Sequence, residues 1–328
     1  MLGRLGFDLA ALSLASLLTG AQAPAPSTTE AVVHRADRTR LMADVRELSS
    51  DQYQGRRTGT PGGLKARAWI RDAFAAIGLK PAGSNGFAEP FTFTYQEDHA
   101  QGSSGRPVTT EYKDAANVLG SITGTKAGAR YIVVSAHYDH LGVQGDRIYH
   151  GADDNASGVA ALLAAARWFA AHPPRHAMLL AAFDAEELGL KGAYTFVASG
   201  LVPLQTVAID VNLDMVSRNE RHEIFAVGTS QEPWLKPILQ DVQRRSGVTI
   251  RLGHDRPVRG RNSGEDWTEL SDQGAFRDAR VPFLYFGVED HADYHQPTDT
   301  ADKIDLQFFG DVADMIIDTL VTLDARLP

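Results

Sequence analysis

Acidic side chains and histidines recur just past short apolar stretches of this sequence, or in the loops next to them. The 328-residue chain has no cysteine, so thiol nucleophiles, disulfides and cysteine-based zinc sites are excluded. Any bound metal must therefore be held by His, Asp and Glu. The groups with this placement are His137, Asp139, Asp154, Glu186, Glu187, Asp214 and His295.

This set of donors suits hydrolysis by two metal ions acting together. Each zinc ion takes nitrogen or oxygen ligands at about 2.0–2.2 Å and keeps a position for water. Two ions about 3.5–4 Å apart can share one carboxylate and together stabilise attack on a carbonyl group. Two histidines and three carboxylates would complete such a centre and leave one carboxylate as a base. Asp139 lies two residues past His137, so its carboxylate could accept a hydrogen bond from the ring nitrogen of His137 that does not bind metal.

Alternating strands and helices are predicted to position these groups. Short runs rich in apolar and β-branched residues predict buried strands, and apolar residues at helical spacing predict helices. Buried strands separated by helices indicate an α/β fold. We expect three layers, αβα, with a mostly parallel mixed sheet as the central layer. Ligands bind at the carboxyl edge of such a sheet. The predicted strands are 131–136, 177–183, 206–213, 222–227 and 281–288, and the predicted helices are 62–77, 158–171, 231–246 and 305–323.

Two segments are predicted to be mainly loop. Residues 81–107 are rich in Gly, Ser and Pro, so we expect loop with one short strand. Residues 254–269 form a polar loop that contains arginines.

Composition sets limits on the partners. Hydrophobic residues make up 43% and charged residues 22% of the chain, which is typical of a globular protein. The formal net charge of -9 argues against nucleic acid as the main partner, because phosphate binding needs clustered Lys and Arg.

The N-terminus has the pattern of an export signal. An apolar stretch over 9–18 precedes the small residues Ala21 and Ala23, so 1–23 is predicted to be a signal peptide. About ten apolar residues are too few to span a bilayer, and no stable membrane insertion is expected after cleavage. Residues 24–32 are predicted to be a flexible spacer and 33–328 a single domain, exported to a periplasm or outside the cell.

Five motifs and the upstream segment GRRTGTPGG (55–63) carry a family resemblance. The motifs are SAHYDHLG (135–142), GADDNASG (151–158), FDAEELGLKG (183–192), NLDMVS (212–217) and YHQPTDT (294–300). In these motifs the chain resembles the secreted bacterial leucyl aminopeptidases, which are related to glutamate carboxypeptidases, glutaminyl cyclases and the transferrin receptor ectodomain. The resemblance covers roughly residues 35–325, and five motifs in the family's order make a chance match very unlikely.

The resemblance implies a zinc-peptidase (phosphorylase/hydrolase-like) fold and two zinc ions per chain. Asp154 would bridge both ions. His137 and Asp214 would bind one of them, and Glu187 and His295 would bind the other. The implied activity is hydrolysis of the N-terminal peptide bond of peptide substrates.

Three further residues take roles by resemblance. Asp139 would orient His137. Glu186 would be the general base, taking a proton from the attacking water and passing it to the leaving amine. Tyr294 would help to stabilise the tetrahedral oxyanion. The chain departs from the family where Ser-Asp-His is common, because it has Ser271-Asp272-Gln273 there.

Local alternatives remain for several of these residues. Asp154 could cap the following helix, although Asp153 and Asn155 could serve instead. Glu186 and Glu187 could be first-turn acids that a helix dipole stabilises. His140 and His150 have no assigned role.

Three rival functions also remain. A carboxypeptidase or dipeptidase would need cations for the C-terminal carboxylate, for which Arg256, Arg259 and Arg261 are the only hint. A glutaminyl cyclase-like transferase would use one zinc ion, whereas both His137 and Asp214 are present to complete a second site. A non-enzymatic binding module would not need every ligand position to be filled.

Overall fold

The computed structural model of the protein describes residues 31–97, 108–256 and 266–328. The predicted signal peptide (1–23) and most of the predicted spacer (24–32) lie outside these residues and stay predictions. In the arginine-containing loop, Arg256 is described, but Arg259 and Arg261 are not. Within the described ranges, no helix combines the length and the apolar character needed to cross a lipid bilayer.

A mixed sheet forms the middle of the molecule. In chain order the strands are β1 (Lys80–Pro81), β2 (Ala88–Glu97), β3 (Val108–Ile122), β4 (Tyr131–His137), β5 (Gly142–Gln144), β6 (Arg147–Tyr149), β7 (Met178–Phe183), β8 (Val207–Leu213), β9 (Glu223–Val227), β10 (Thr249–Leu252) and β11 (Phe283–Gly287). In the described part of the chain, nine of them join in the order β1-β3-β7-β4-β8-β11-β9-β10, with β2 beside β3. β5 and β6 form a separate hairpin.

The centre of this sheet is parallel and its flanks are mixed. β7, β4, β8 and β11 lie side by side and run in one direction. β3 and β9 run antiparallel to their neighbours β7 and β11. The predicted α/β fold with a mostly parallel mixed sheet is confirmed.

Helices cover both faces of the sheet. They are α1 (Arg38–Leu48), α2 (Pro61–Ile77), α3 (Gly158–Ala171), α4 (Lys191–Ser199), α5 (Leu235–Gln243), α6 (Gln273–Asp278) and α7 (Leu306–Arg326). The larger apolar core lies between the sheet and α1, α2, α3, α5 and α7, and a smaller core lies under α4 and α6. These are the three layers expected from the sequence.

Strand β4 shows why the central strands are apolar along their whole length. Ile132 and Val134 pack into the larger core, and Val133 packs into the smaller core on the opposite face. Side chains alternate between the faces of a strand, so a sheet that is covered on both sides needs apolar residues at consecutive positions. Full burial of one such side chain contributes about 1.5–3 kcal/mol.

One segment has more regular structure than its composition predicts. Residues 81–107 were expected to be loop with one short strand, but β2 alone has 10 residues and pairs antiparallel with the 15-residue β3. Phe93 lies opposite Tyr112 with ring centroids 4.8 Å apart, and Phe93 also stacks on Phe91. A cross-strand aromatic pair such as Phe93 and Tyr112 stabilises the pairing of two strands. This stabilisation offsets the low strand propensity of the Gly, Ser and Pro residues in the segment.

Candidate active site

The strand register brings the candidate residues to one edge of the sheet. His137, the last residue of β4, pairs with Phe183 at the end of β7, so Glu186 lies only three residues past that strand end. On the other side of β4, Ser135 pairs with Asn212, two residues before Asp214. Because these strands are parallel, their carboxyl ends lie together and the loops that follow them meet.

The first donor set consists of His137, Asp154 and Asp214. Nε2 of His137 lies 3.2 Å from Oδ1 of Asp214 and 3.4 Å from Oδ1 of Asp154. All three side chains are buried, and their donor atoms lie within 4.8 Å of one another. The structure thus brings these three residues together, and their role as metal ligands stays a prediction.

The second donor set consists of Asp154, Glu187 and His295. Nε2 of His295 lies 3.1 Å from Oδ2 of Asp154 and 3.3 Å from Oε2 of Glu187. Asp154 thus directs Oδ1 at the first donor set and Oδ2 at the second. His295 comes from the loop that follows β11, so this loop completes the site.

The two donor sets have the dimensions that zinc ions require. Bonds of about 2.0–2.2 Å in a tetrahedron put neighbouring ligand atoms about 3.3–3.6 Å apart, and the contacts of 3.1–3.4 Å in both sets lie close to this range. The sets also hold more negative than positive charge. Burial alone would lower the pKa of His295, but hydrogen bonds to Asp154 and Glu187 raise it to about 10. The residues present fit a pair of divalent cations that share Asp154.

A dense hydrogen-bond network holds the loop that carries Asp154. Oδ2 of Asp299 accepts hydrogen bonds from the backbone N–H groups of Asp153 (3.0 Å) and Asp154 (3.1 Å). Oδ1 of Asn155 accepts from the N–H of Gly158, the first residue of α3, at 2.9 Å. The side chain of Asn155 therefore satisfies the first N–H group of the helix, which leaves the carboxylate of Asp154 available to the donor sets.

Asp139 supports the site in a way that differs from its predicted contact. The nearest acceptor to Nδ1 of His137 is the backbone oxygen of Asp139 at 3.2 Å, while the carboxylate lies 3.7 Å away. The carboxylate instead accepts from the backbone N–H groups of Glu186 (3.0 Å) and Glu187 (3.4 Å). Asp139 thus contacts both the ring of His137 and the turn that carries the two glutamates.

Glu186 lies beside the first donor set. Burial raises the pKa of Glu186 well above its usual range; His137 lowers it, and the charges of Glu187 and Asp214 raise it again. A carboxylate with a raised pKa binds a proton more strongly than an ordinary carboxylate, which suits a general base. Burial also favours the neutral form of Glu187, but hydrogen bonds from His140 and His295 hold its pKa well below its usual range. The two adjacent glutamates therefore have different proton affinities.

Sequence reasoning left out two residues of this site. The ring of His140, which had no assigned role, is buried against Glu187. Arg56 is fully buried and donates hydrogen bonds to the carbonyl oxygens of Tyr138, His150 and Gly151 in the ligand-bearing loops. Both residues lie inside the motifs quoted for the family resemblance, which was the only signal in the sequence.

Tyr294 packs on the second donor set. Its ring stacks on His295 with centroids 4.0 Å apart. The predicted role of Tyr294 in stabilising an oxyanion stays a prediction.

The sequence of the chain matches a known family of peptidases. Residues 117–320, more than half of the chain, match Peptidase family M28. The chain belongs to this family.

Two curated relatives illustrate its range. The chain is 29% identical over 213 residues to a probable zinc metalloprotease of Pyrenophora tritici-repentis (strain Pt-1C-BFP). This match covers 55% of this chain and 48% of the relative. The chain is 28% identical over 232 residues to the probable glutamate carboxypeptidase VP8 of Zea mays. This second match covers 63% of this chain and 28% of the relative. The matches thus span about half of these relatives or less.

A solved structure confirms the fold. The zinc aminopeptidase BSAP from Bacillus subtilis superimposes with a TM-score of 0.66 at 16% sequence identity, covering 87% of this chain and 94% of that chain. At this level of identity the likeness shows the fold alone.

Proposed function

We propose that the chain is a zinc metallo-aminopeptidase that binds two zinc ions and releases N-terminal residues from peptides. Membership of Peptidase family M28 supports hydrolysis of peptide bonds. The zinc metalloprotease and zinc aminopeptidase among the similar proteins support the choice of metal and of reaction.

The observation that carries this proposal is the position of Asp154. Its two carboxylate oxygens face different donor sets, with Oδ1 3.4 Å from Nε2 of His137 and Oδ2 3.1 Å from Nε2 of His295. A carboxylate in this position suits two cations better than one. Bound there, two zinc ions would polarise the scissile carbonyl group and make a water molecule more acidic.

The side chains around the donor sets divide the remaining work. Glu186 would take the proton of the attacking water and donate it to the amine that leaves. Asp139 would hold Glu186 in place through the hydrogen bond from its backbone N–H group, at 3.0 Å. Asp299 would hold Asp154 in the same way, through two backbone N–H groups of its loop.

A second candidate function is a carboxypeptidase or dipeptidase. Beside Glu187 the surface forms a cavity of about 580 Å³, whose lining includes Arg57, Tyr95 and Gln144. The guanidinium group of Arg57 donates a hydrogen bond to the hydroxyl of Tyr112 at 3.1 Å. A cation at this position, close to the candidate ligands, has the chemistry to receive a substrate carboxylate. The resemblance to a glutamate carboxypeptidase agrees with this second function.

Paired blocked peptides test the proposal. We expect the chain to cleave a tripeptide with a free N-terminus and an amidated C-terminus, and to leave unchanged the same tripeptide with an acetylated N-terminus and a free C-terminus. A zinc chelator should abolish the cleavage, and added zinc should restore it. Cleavage of the acetylated peptide alone would refute the aminopeptidase proposal and favour the carboxypeptidase.

Metal analysis distinguishes the aminopeptidase from a transferase and from a binding module. One zinc ion per chain at saturation, together with cyclisation of N-terminal glutamine, would favour a glutaminyl cyclase-like transferase. Absence of metal-dependent hydrolysis from every peptide would favour a binding module. Two zinc ions per chain with release of free amino acids is the expected result.

A further inference from the structure

His140 is buried in the candidate active site, although none of the predicted roles uses it. Its side chain is only 1% exposed. Nδ1 lies 2.8 Å from Oε1 of Glu187 and 3.6 Å from Oδ2 of Asp154. Both of these oxygens belong to carboxylates of the second donor set, so the ring faces the place where a cation would bind.

The surroundings of the ring fix this orientation. A Cβ atom added to Gly151 would lie 2.5 Å from Cδ2 of His140, so the ring rests directly on the backbone of the loop that carries Asp154. Gly151 also has a φ of +56°, in the left-handed region where glycine is favoured. On another side, the ring meets His295 edge-on, with centroids 5.8 Å apart. Close packing against Gly151 and His295 restricts its rotation away from Glu187.

No other hydrogen bond accounts for the burial of this histidine. Within the described residues, Nε2 of His140 has no hydrogen-bond partner. The polar contacts of the ring are therefore those of Nδ1 with Glu187 and Asp154. Nδ1 is thus the ring nitrogen that faces the two carboxylates, and it is the atom that could bind a cation there.

The distances agree with a fourth ligand. His140, Asp154 and Glu187 offer donor atoms within 4.8 Å of one another. The contact of Nδ1 with Asp154, 3.6 Å, lies at the upper end of the spacing of about 3.3–3.6 Å between neighbouring ligands of a tetrahedral zinc ion, and the contact with Glu187, 2.8 Å, is shorter than this spacing. His295 approaches the same two carboxylates at 3.1 and 3.3 Å. Both imidazoles thus contact the same two carboxylates.

We propose that His140 is a fourth protein ligand of the metal ion held by Asp154, Glu187 and His295. This inference rests on the proposed two-zinc function. Four protein ligands close the coordination shell of a zinc ion, whereas three leave a position open. The ion at the second donor set would therefore be the more tightly held one and would reach a substrate oxygen by expanding to five-coordinate. The ion at the first donor set, with His137, Asp154 and Asp214, would keep a position open to water.

Two substitutions separate a ligand from a hydrogen-bond partner. His140→Asn places an amide N–H close to the position of Nδ1, so it keeps a hydrogen bond to Glu187 but removes the ligand nitrogen. His140→Ser removes both. His176→Ser is the matched control, because His176 is also buried and bonded to a carboxylate, Asp324, but it lies just before β7, at the strand end opposite to the candidate active site.

Zinc affinity is the first readout, measured by competition with a chromophoric chelator. The wild-type chain should hold one of its two zinc ions much more tightly than the other. His140→Asn and His140→Ser should both weaken the tighter site by more than about 100-fold, which exceeds the 10–100-fold effect of losing a hydrogen-bond partner of a ligand. His176→Ser should leave both zinc affinities unchanged. Full affinity in His140→Asn would show that His140 only donates a hydrogen bond, and would overturn the proposal.

Zinc X-ray absorption is the second readout, because it counts imidazole ligands directly. The loaded wild-type chain should show three imidazole groups shared between two ions, and His140→Asn should show two. Two imidazoles in both proteins would overturn the inference about His140 and leave the proposed function intact. A wild-type chain that binds no zinc would overturn both. Thermal unfolding of the metal-free variants checks that each one is folded.

Discussion

Nη2 of Arg56 lies 2.8 Å from the carbonyl oxygen of Gly151, three residues before Asp154. The same guanidinium group donates to the carbonyl oxygens of Tyr138 at 2.9 Å and His150 at 2.7 Å. Burial lowers the pKa of Arg56 to about 10, and nearby carboxylates, Asp154 first among them, oppose that change. Arg56 therefore stays charged at neutral pH and joins the loop after β4 to the loop before α3.

Arg56→Lys should destabilise the chain and weaken zinc binding. A lysine ammonium cannot reproduce the planar fork of five N–H donors, so some of these carbonyl oxygens would be left buried without a donor, at about 1–3 kcal/mol each. We expect a loss of several kcal/mol in the free energy of unfolding, measured with urea on the metal-free chain. Zinc affinity should fall as well, because both ligand-bearing loops lose their common support.

A half-buried arginine with an exposed hydrogen bond provides the control for this substitution. Arg67 donates a hydrogen bond to the carbonyl oxygen of Asp114 at the surface. Arg67→Lys should change the free energy of unfolding by no more than about 0.5 kcal/mol. An equally small change in Arg56→Lys would contradict the role of Arg56 as the link between the two loops.

Glu186→Gln and Glu187→Gln should have different effects, although the two residues are adjacent. The first substitution removes the proposed base, so kcat should fall by about 10²–10⁴ while two zinc ions remain bound. The second removes a carboxylate that contacts His140 and His295, so zinc should be lost from the second donor set. Zinc content per chain, measured on the same samples as kcat, distinguishes the two outcomes. Full activity in Glu186→Gln would rule out the proposed base.

Asp154→Asn should release both zinc ions, while Asp214→Asn should release only one. Asp154 contacts histidines of both donor sets, whereas Asp214, among the described residues, contacts one candidate histidine ligand, His137. Elemental analysis after dialysis against metal-free buffer measures the difference. Asp146→Asn, in the exposed turn between β5 and β6, is the control and should keep both ions. Equal metal loss from Asp154→Asn and Asp214→Asn would argue against a shared ligand.

The convergence of the candidate ligands could be predicted because it follows from the topology. His137 and Asp214 lie directly at the ends of apolar runs, and the parallel alignment of β4 and β8 brings such ends together. Asp154 and His295 lie in loops rather than at strand ends, so their positions were predicted from the family motifs. The structure brings all four into one cluster.

The remaining features depend on contacts that leave no local pattern. Arg56 acts on carbonyl oxygens 82 and 95 residues further along the chain, and a backbone carbonyl group is the same in every residue. The burial of His140 depends on the glycine at 151, and no local pattern in the sequence connects the two. The pairing of β2 with β3 depends on a similar distant contact, since Phe93 of one strand stacks on Tyr112 of the other.

The stability of the chain should depend on pH through Asp210, a fully buried residue of β8. Burial raises the pKa of Asp210 to about 8, and a hydrogen bond from the hydroxyl of Ser135, 2.8 Å long, opposes the rise. In the unfolded chain this carboxyl group titrates near about pH 3.9. Between about pH 4 and pH 8 the folded chain thus holds a proton that the unfolded chain has lost. The stabilisation from Asp210 is therefore complete below about pH 4 and declines as the pH rises towards 8.

Asp210→Asn should remove this decline, because an amide keeps the shape of the carboxyl group but does not titrate. We expect the free energy of unfolding of the wild-type chain to fall by as much as about 1.4 kcal/mol per pH unit relative to the variant. Urea unfolding from about pH 5 to pH 8.5, with chelator present in both samples, measures the difference without the pH dependence of metal binding. The titratable groups of the candidate active site are common to both chains, so their contribution cancels in the comparison. Parallel curves for the two chains over this range would mean that Asp210 is ionised in the folded state.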